Sequence, residues 1–195
     1  LTEYLRAASL DPPAPLSTAL FYGIKTDTLG LSRGACPADG EAFCYLHPRL
    51  DLEALLRIEQ AQIPAEYFKH FAATLQAAQV YDSVVISYIG PMGYPDQAAE
   101  MADLLLRVRG IRWVICIGTY KEHLILSVRT QNKRGAGQLV QKIVGDQGTA
   151  GGHGSMAGAR VLLNHADPDQ LARRFSRQAL AHLGVPTESG GKPLI

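Results

Sequence analysis

The segment Gly148–Gly158 constrains the fold of this chain more than any other part of its sequence. It places four glycines within eight residues around one histidine, His153, and the apolar run Val161–Leu163 follows it. Glycine accepts positive φ and lets backbone N–H groups converge on an anion without a Cβ in the way. We therefore expect a loop that approaches a ligand closely, with His153 as a donor or as an acid near neutral pH. A surface turn with an incidental histidine is the alternative.

The spacing of apolar residues predicts helices in the first part of the chain, and strands alternating with helices after Val80. The segment Thr18–Ile24 is too short to distinguish a buried strand from a helix, so both readings stay open. Asp51 and Asp167 each stand directly before a helical pattern, as N-cap residues do. Helices are predicted over 1–10, 52–58, 64–79, 94–108, 135–144 and 168–183, a short one from 39 to 48, strands over 84–89, 111–118 and 122–129, and a polar tail over 185–195.

Composition limits the class of protein. With 195 residues, 47% hydrophobic content and a net charge of +1, the chain can bury a core but lacks the basic excess of a surface for long nucleic acids. Its three cysteines form no Cys-x-x-Cys pair and are odd in number, which is typical of reduced cytoplasmic thiols. No apolar run reaches the roughly twenty residues that a membrane helix needs. We expect a cytoplasmic protein that binds no membrane and takes short or small phosphorylated ligands.

Two short motifs resemble those of a known family. Gly151-Gly152-His153 with Ala157-Gly158, some twenty residues after Ser127-Val128-Arg129-Thr130, resembles the Gly-Gly-His…Ala-Gly and Ser-x-Arg-Ser signatures of the DHH-associated domain. That domain is the C-terminal, substrate-binding domain of the DHH phosphoesterase superfamily, which includes oligoribonucleases, single-strand exonucleases, nucleotide phosphodiesterases and exopolyphosphatases. The sequence departs from the pattern at Gly154-Ser155-Met156 and at Thr130, which leaves the substrate open.

The resemblance implies which residues bind substrate. Family members use the arginine of the Ser-x-Arg motif for a substrate phosphate, and a guanidinium at a strand end can form the required fork. An arginine that only extends its stem from a strand end is the alternative for Arg129. Lys133 and Arg134 stand at the start of a predicted helix and are weaker candidates than Arg129 for contact with a phosphate. The predicted substrate-binding residues are Ser127, Arg129, Thr130, Arg134, Gly151, Gly152, His153 and Gly154.

Asp27 is the predicted metal ligand of the first part of the chain. It follows the apolar segment that ends at Ile24, and the DHH catalytic domain has a metal-binding aspartate in a similar Asp-Thr segment. A turn cap is the alternative role for its carboxylate. A two-metal site holds ions about 3.5–4 Å apart and needs several ligands, yet the sequence has no Asp-His-His run. We expect the cofactor, Mn²⁺ or Mg²⁺, to be held mostly by residues upstream of Leu1.

These observations predict an α/β protein in which the end of a DHH catalytic lobe is joined by a helical connector to a mixed-sheet DHH-associated domain. The expected boundaries are 1–59 for the truncated catalytic domain, 60–79 for the connector and 80–195 for the substrate-binding domain.

The resemblance implies part of a metal-dependent phosphoesterase that hydrolyses phosphoester bonds in short oligonucleotides or small nucleotides. This part would supply the substrate-binding domain and would be inactive alone, and a homodimer is compatible with it. One alternative is a non-catalytic nucleic-acid-binding module, because DHH-associated domains also occur attached to tRNA synthetases. Another is an exopolyphosphatase. An Asp-His-His motif shortly before Leu1 would favour the hydrolase over the binding module.

Overall fold

The chain divides into two compact units, Leu1–Ile63 and Pro64–Ile195. The computed structural model describes residues 1–186 and 190–195. The first unit is helical. Its elements are α1 (Thr2–Ala7), α2 (Ala14–Asp27), α3 (Pro37–Leu46), a 3₁₀ turn (His47–Arg49) and α4 (Leu52–Glu59).

Two helices of the first unit, α3 and α4, begin at recognisable sequence signals. Asp51 is the N-cap of α4, as predicted, and its Oδ1 accepts a hydrogen bond from Ala54 N at 2.9 Å. The segment Thr18–Ile24, which the sequence left open, lies inside the helix α2. The predicted start of a helix at Asp39 is two residues too late, because α3 begins at Pro37. Proline suits a first helical position, where the backbone N–H would have no partner.

The second unit is a seven-stranded sheet with helices on both faces, which confirms the predicted mixed α/β class. Its elements are α5 (Ala65–Ala77), β1 (Ala78–Tyr81), β2 (Val84–Pro91), α6 (Gln97–Leu105), β3 (Trp113–Tyr120), β4 (His123–Thr130), α7 (Ala136–Val144), a 3₁₀ turn (Gly145–Gln147), β5 (Gly148–His153), β6 (Met156–Leu162), α8 (Pro168–His182) and β7 (Lys192–Pro193).

The strand order is β5-β6-β4-β3-β2-β1-β7. Among the strands of residues 1–186 and 190–195, only β2 and β3 pair in parallel, and the helix α6 connects them. Every other neighbouring pair is antiparallel. Parallel neighbours require such a crossover, whereas antiparallel strands such as β3 and β4 can be joined by a tight turn. The turn between β3 and β4 lies at Lys121 and Glu122.

Two apolar clusters cover the two faces of the sheet. The cluster under α7 and α8 includes Leu126, Val128 and Phe175. The other lies under α6 and includes Val114 and Cys116 of β3. Because β3 is buried on both faces, its sequence is a continuous apolar run rather than an alternating one.

The glycine-rich segment is not a loop. Its first half is the strand β5, its second half begins β6, and the two pair as a hairpin with Gly154 and Ser155 at the turn. The glycines allow close backbone packing: a Cβ on Gly152 would lie 2.4 Å from Ala157 Cα, and one on Gly137 of α7 would lie 2.7 Å from Gly152 O. Glycine is required at these positions because the backbones lie in contact. The glycine-rich composition agrees with this packing role as well as with a loop.

The C-terminal tail also forms structure that the sequence did not predict. Lys192 and Pro193 form β7, which pairs with Val80 and Gln79 of β1. Residues 187–189 of the predicted tail lie outside the described residues. At the other end of the unit, α5 lies within the segment predicted as a connector and packs on the sheet, where Ser87 Oγ donates to Thr74 O at 2.9 Å.

No helix in residues 1–186 and 190–195 has the length and apolar character needed to cross a membrane.

Gly152 and Gly151 provide a matched test of the hairpin packing. Gly152 has a φ of +150° and its missing Cβ would overlap the backbone of Ala157, whereas a Cβ on Gly151 would meet nothing within 4 Å. We expect Gly152→Ala to lower the free energy of unfolding by about 2 kcal/mol or more, and Gly151→Ala to change it by less than about 0.5 kcal/mol. Chemical denaturation of both variants measures the difference. Equal stabilities would contradict the packing role of Gly152.

Candidate anion-binding site

The register of β4, β6 and β5 places the two main predicted site residues on one face of the sheet. Arg129 pairs with Met156, and Met156 pairs with His153. Paired residues in a sheet share a face, so the side chains of Arg129 and His153 project from the same side. They are separated by two strand spacings, roughly 10 Å. Successive residues of a strand alternate between faces, so Ser127 lies on this face as well.

Arg129 is held by an aspartate of α6. Its Nε donates to Asp103 Oδ1 at 2.6 Å and its Nη2 donates to Asp103 Oδ2 at 3.3 Å. Its Nη1 donates to Ser127 Oγ at 2.9 Å and to Val128 O at 3.2 Å. The Arg129 side chain is 11% exposed, whereas that of Asp103 is 54% exposed. The guanidinium is therefore fixed in place at the margin of the sheet face that α6 covers.

A buried thiol lies beside this ion pair. Cys116 of β3 is fully buried and pairs with Ser127 across the sheet. Burial raises the pKa of the Cys116 thiol, and the nearby charge of Arg129 opposes that rise. The thiol is neutral at physiological pH, so Asp103 is the partner that balances the charge of Arg129.

The two predicted hydroxyl groups are buried and already bonded. Ser127 is 4% exposed and its Oγ accepts from Arg129. Thr130 is 2% exposed, lies on the opposite face of β4, donates to Arg112 O at 2.9 Å and accepts from Asn132 N at 3.1 Å. Ser127 thus orients the arginine, and Thr130 shapes the turn that follows the strand.

The hairpin turn is attached to the segment before α7. Thr130 N donates to Ser155 O at 3.0 Å, and Ala136 N donates to Gly154 O at 3.3 Å. A Cβ on Gly154 would lie 3.4 Å from Lys133 O. These contacts bring the end of the hairpin, with His153, beside the segment that carries Lys133 and Arg134.

Three of these side chains extend into solvent. Lys133, Arg134 and His153 are exposed. In the described part of the chain, the side chains of His153 and Arg134 form no hydrogen bond or ion pair. Both are therefore available to an external ligand.

Two glycines form a floor beside the row of Arg129, Met156 and His153, in which Met156 lies between the other two. Gly158 of β6 pairs with both Ser127 and Gly151, so the two glycines lie side by side on this face. Gly151 is exposed and has open space where a Cβ would stand. A flat or compact ligand can therefore approach the backbone directly.

Arg160 extends the positive charge of this face. It follows Gly158 by two residues on β6, is exposed, and its Nη2 lies 3.3 Å from His123 Nδ1. The sequence reasoning missed Arg160, although strand alternation from Gly158 would have identified it. It also missed Asp103, for which the sequence has no signal, since the residue lies inside an ordinary helical pattern.

Asp27 lies in the other unit, at the end of α2. Its residue is exposed, and its backbone oxygen accepts from Arg33 Nη2 at 3.1 Å. Within residues 1–186 and 190–195, no three His, Cys, Asp or Glu side chains come together in a group that could hold a metal ion. Asp27 is thus a single exposed carboxylate rather than part of an assembled metal centre.

No protein-family model matches the chain. It is 32% identical over 165 residues to an uncharacterized protein of Methanocaldococcus jannaschii, a match that covers 84% of this chain and 34% of that protein. The chain therefore spans about a third of the length of this curated relative.

Solved structures with the same fold include an exopolyphosphatase-related protein from Bacteroides fragilis. The TM-score is 0.67 at 12% identity, and the match covers 85% of this chain and 50% of that one. RecJ from Thermus thermophilus, solved with Mn²⁺, matches with a TM-score of 0.48 at 18% identity over 86% of this chain and 23% of RecJ. The second likeness is too remote to support an argument about function. This chain therefore shares its fold with the exopolyphosphatase-related protein of Bacteroides fragilis.

Proposed function

We propose that this chain is the substrate-binding part of a metal-dependent DHH-type phosphoesterase that hydrolyses phosphoester bonds in short oligonucleotides or small nucleotides. The observation that carries the proposal is the placement of Arg129 and His153 on one face of the sheet, on either side of Met156, with Gly158 and Gly151 in the neighbouring row. In this proposal residues 1–59 are the C-terminal part of the catalytic domain, residues 60–79 connect the two domains, and residues 80–195 form the substrate-binding domain.

The chemistry of this face suits a phosphorylated ligand. Arg129, Arg160 and His153 offer N–H donors, and a guanidinium binds phosphate oxygens more strongly than a neutral donor does. His153 is exposed and unpaired in the described chain, so it can donate to a phosphate or a sugar hydroxyl at little cost in desolvation. The separation of roughly 10 Å between the Arg129 and His153 positions suits two groups of one ligand, such as two phosphates or a phosphate and a sugar.

The charge of the chain favours a small ligand over a long one. Binding to long nucleic acid depends on many phosphate contacts and the counterions that they release. A net charge of +1 leaves no general basic surface for such contacts. The local cations around the glycine floor can instead bind one or two phosphates.

The residues described here do not fit a two-metal centre, because Asp27 is the one candidate ligand and no group of three donors lies together in residues 1–186 and 190–195. Such a centre needs several protein ligands. We assign Asp27 one ligand position, and we assign the remaining ligands of a Mn²⁺ or Mg²⁺ centre to the rest of a longer protein. The curated relative, of which this chain covers 34%, has the length for them.

The first test removes the side chains of Arg129 and His153, the two main proposed donors of the site. In the full-length enzyme, Arg129→Ala and His153→Ala should each lower kcat/KM for a short oligonucleotide by about ten- to a hundredfold, because each removes a charge-assisted contact of about 1.5–3 kcal/mol. Steady-state kinetics with a diadenylate substrate measure the effect.

Matched controls for this test lie on α8, which packs on the opposite face of the sheet. Arg173→Ala and His182→Ala remove the same residue types from exposed positions and should leave kcat/KM within about twofold of the parent value. Equal losses in both pairs of variants would remove the special role of Arg129 and His153.

A second test separates binding from hydrolysis. The 195-residue chain by itself should hydrolyse little or no diadenylate with Mn²⁺ present, yet bind nucleotides weakly, because it has binding donors but no assembled metal centre. Titration calorimetry and an assay with labelled diadenylate measure the two properties. Robust Mn²⁺-dependent hydrolysis that Asp27→Ala abolishes would show that the catalytic site lies within this chain.

The same assays on the full-length protein separate the two alternatives. Binding without hydrolysis of either diadenylate or inorganic polyphosphate is the expected behaviour of a non-catalytic nucleic-acid-binding module. Hydrolysis of polyphosphate alone is that of an exopolyphosphatase. Either result would replace the proposed substrate class.

A further inference from the structure

A second positively charged group lies on the same face of the sheet as Arg129 and His153, beyond the glycine floor. Arg160 follows Gly158 by two residues on β6, so its side chain projects from that face. The glycine floor therefore lies between the row of residues that contains Arg129 and the row that contains Arg160.

Arg160 is held in place without losing its charge to a carboxylate. The residue is exposed, and its Nη2 donates to His123 Nδ1 at 3.3 Å. An arginine has no acceptor, so Nδ1 of this histidine accepts and, in the neutral ring, Nε2 carries the proton. No carboxylate in residues 1–186 and 190–195 forms a salt bridge with Arg160, whereas Asp103 balances Arg129. The charge of Arg160 and the Nε2–H of His123 are therefore both open to an anion.

The separation of the two arginines exceeds the reach of one phosphate. Arg160 lies four residues along β6 from Met156, the β6 partner of Arg129. At about 3.3 Å per residue, the two rows are roughly 13 Å apart. His123 pairs with Leu162 in the row beyond Arg160, so its contact directs the guanidinium away from the floor. With Arg160 in this position, two phosphates joined through a single nucleoside are too close together to contact both arginines.

We propose that Arg160, together with His123, binds a second phosphate of the substrate and sets a preference for oligonucleotides of up to about five nucleotides over dinucleotides. In a stacked strand successive phosphates advance by about 3.4 Å, so about four steps cover the roughly 13 Å between the rows. This role rests on the proposed function, since Arg129 and His153 would hold the first phosphate of the same strand.

The glycine floor gives such a strand a path between the two groups. On β6 only Gly158 stands on this face between Met156 and Arg160, and on β5 only Gly151 stands between His153 and the row of Arg160. No side chain of these two strands therefore rises between the two rows. The strand can lie flat against the backbone and place one phosphate at each end.

Two probes that differ in length test this directly. They are diadenylate and pentaadenylate, each with a 5′-phosphate, titrated into the 195-residue chain with a chelator present so that no metal supports hydrolysis. The parent protein should bind pentaadenylate at least about tenfold more tightly, because only the longer strand reaches Arg160. Arg160→Ala should remove that gain and leave the affinity for diadenylate within about twofold of the parent value.

Salt dependence gives a second readout, which a merely structural role of Arg160 would not change. Each phosphate that is neutralised on a single strand contributes about −0.7 to the slope of the logarithm of the binding constant against the logarithm of salt concentration. Arg160→Ala should therefore make the slope for pentaadenylate shallower by about 0.7 and leave the slope for diadenylate unchanged.

The controls separate this contact from general attraction between the chain and a polyanion. Arg177→Ala removes the same residue type from an exposed position on α8, on the other side of the sheet. Because distant charges are largely screened, it should change the affinity for pentaadenylate by less than about twofold. Arg160→Lys keeps the charge and should retain most of the length preference. Arg160→Thr is a second neutral variant, suited to a strand, in case Arg160→Ala fails to fold, and thermal unfolding identifies the folded variants.

The outcomes distinguish this role from the function on which it rests. Equal affinities of the parent protein for the two probes would overturn the role of Arg160, as would equal losses for both probes in its folded neutral variants or an equal loss in Arg177→Ala. If Arg129→Ala then loses binding of both probes, the proposed function stands. A parent protein that binds neither probe would overturn both.

Discussion

The antiparallel register between β4, β6 and β5 is the constraint on which the candidate site depends. Because side chains alternate along a strand, a slip of one residue in the pairing of β6 with β4 alone would place Arg129 and His153 on opposite faces of the sheet. The register is fixed at the end of the hairpin, where Ser155 O and Gly154 O accept backbone hydrogen bonds from Thr130 and Ala136. The backbone pairing of the three strands therefore determines which side chains can form the site.

Several elements could be predicted because their signals are local. The N-cap aspartates Asp51 and Asp167 accept from backbone N–H groups two or three residues ahead, so a short sequence window contains the whole interaction. The continuous apolar run of β3 likewise indicates a strand buried on both faces. The motifs around Arg129 and His153 also named residues that the pairing places on one face.

Other features could not be predicted because they depend on distant parts of the chain. Glycine composition suggested a loop over 148–158, whereas the fit of Gly152 against Ala157 and α7 makes it a hairpin. The pairing of Arg129 with Asp103 joins a strand to a helix 26 residues away, and helical spacing does not reveal which exposed residue meets a strand. The segment Thr18–Ile24 is helical because it is part of the longer helix α2. A segment of that length is too short to reveal this from its own apolar pattern.

The short strand β7 has a consequence for the order in which the sheet is completed. Its partners, Gln79 and Val80, are made more than a hundred residues earlier, so this contact closes a long loop and forms after the local hairpins. Until then β1 is an open edge that a neighbouring molecule could pair with. Once β7 is in place, Pro193 presents no N–H at the new edge, so further strand addition there is disfavoured. A proline on the edge strand thus makes this edge of the sheet a poor template for a further strand.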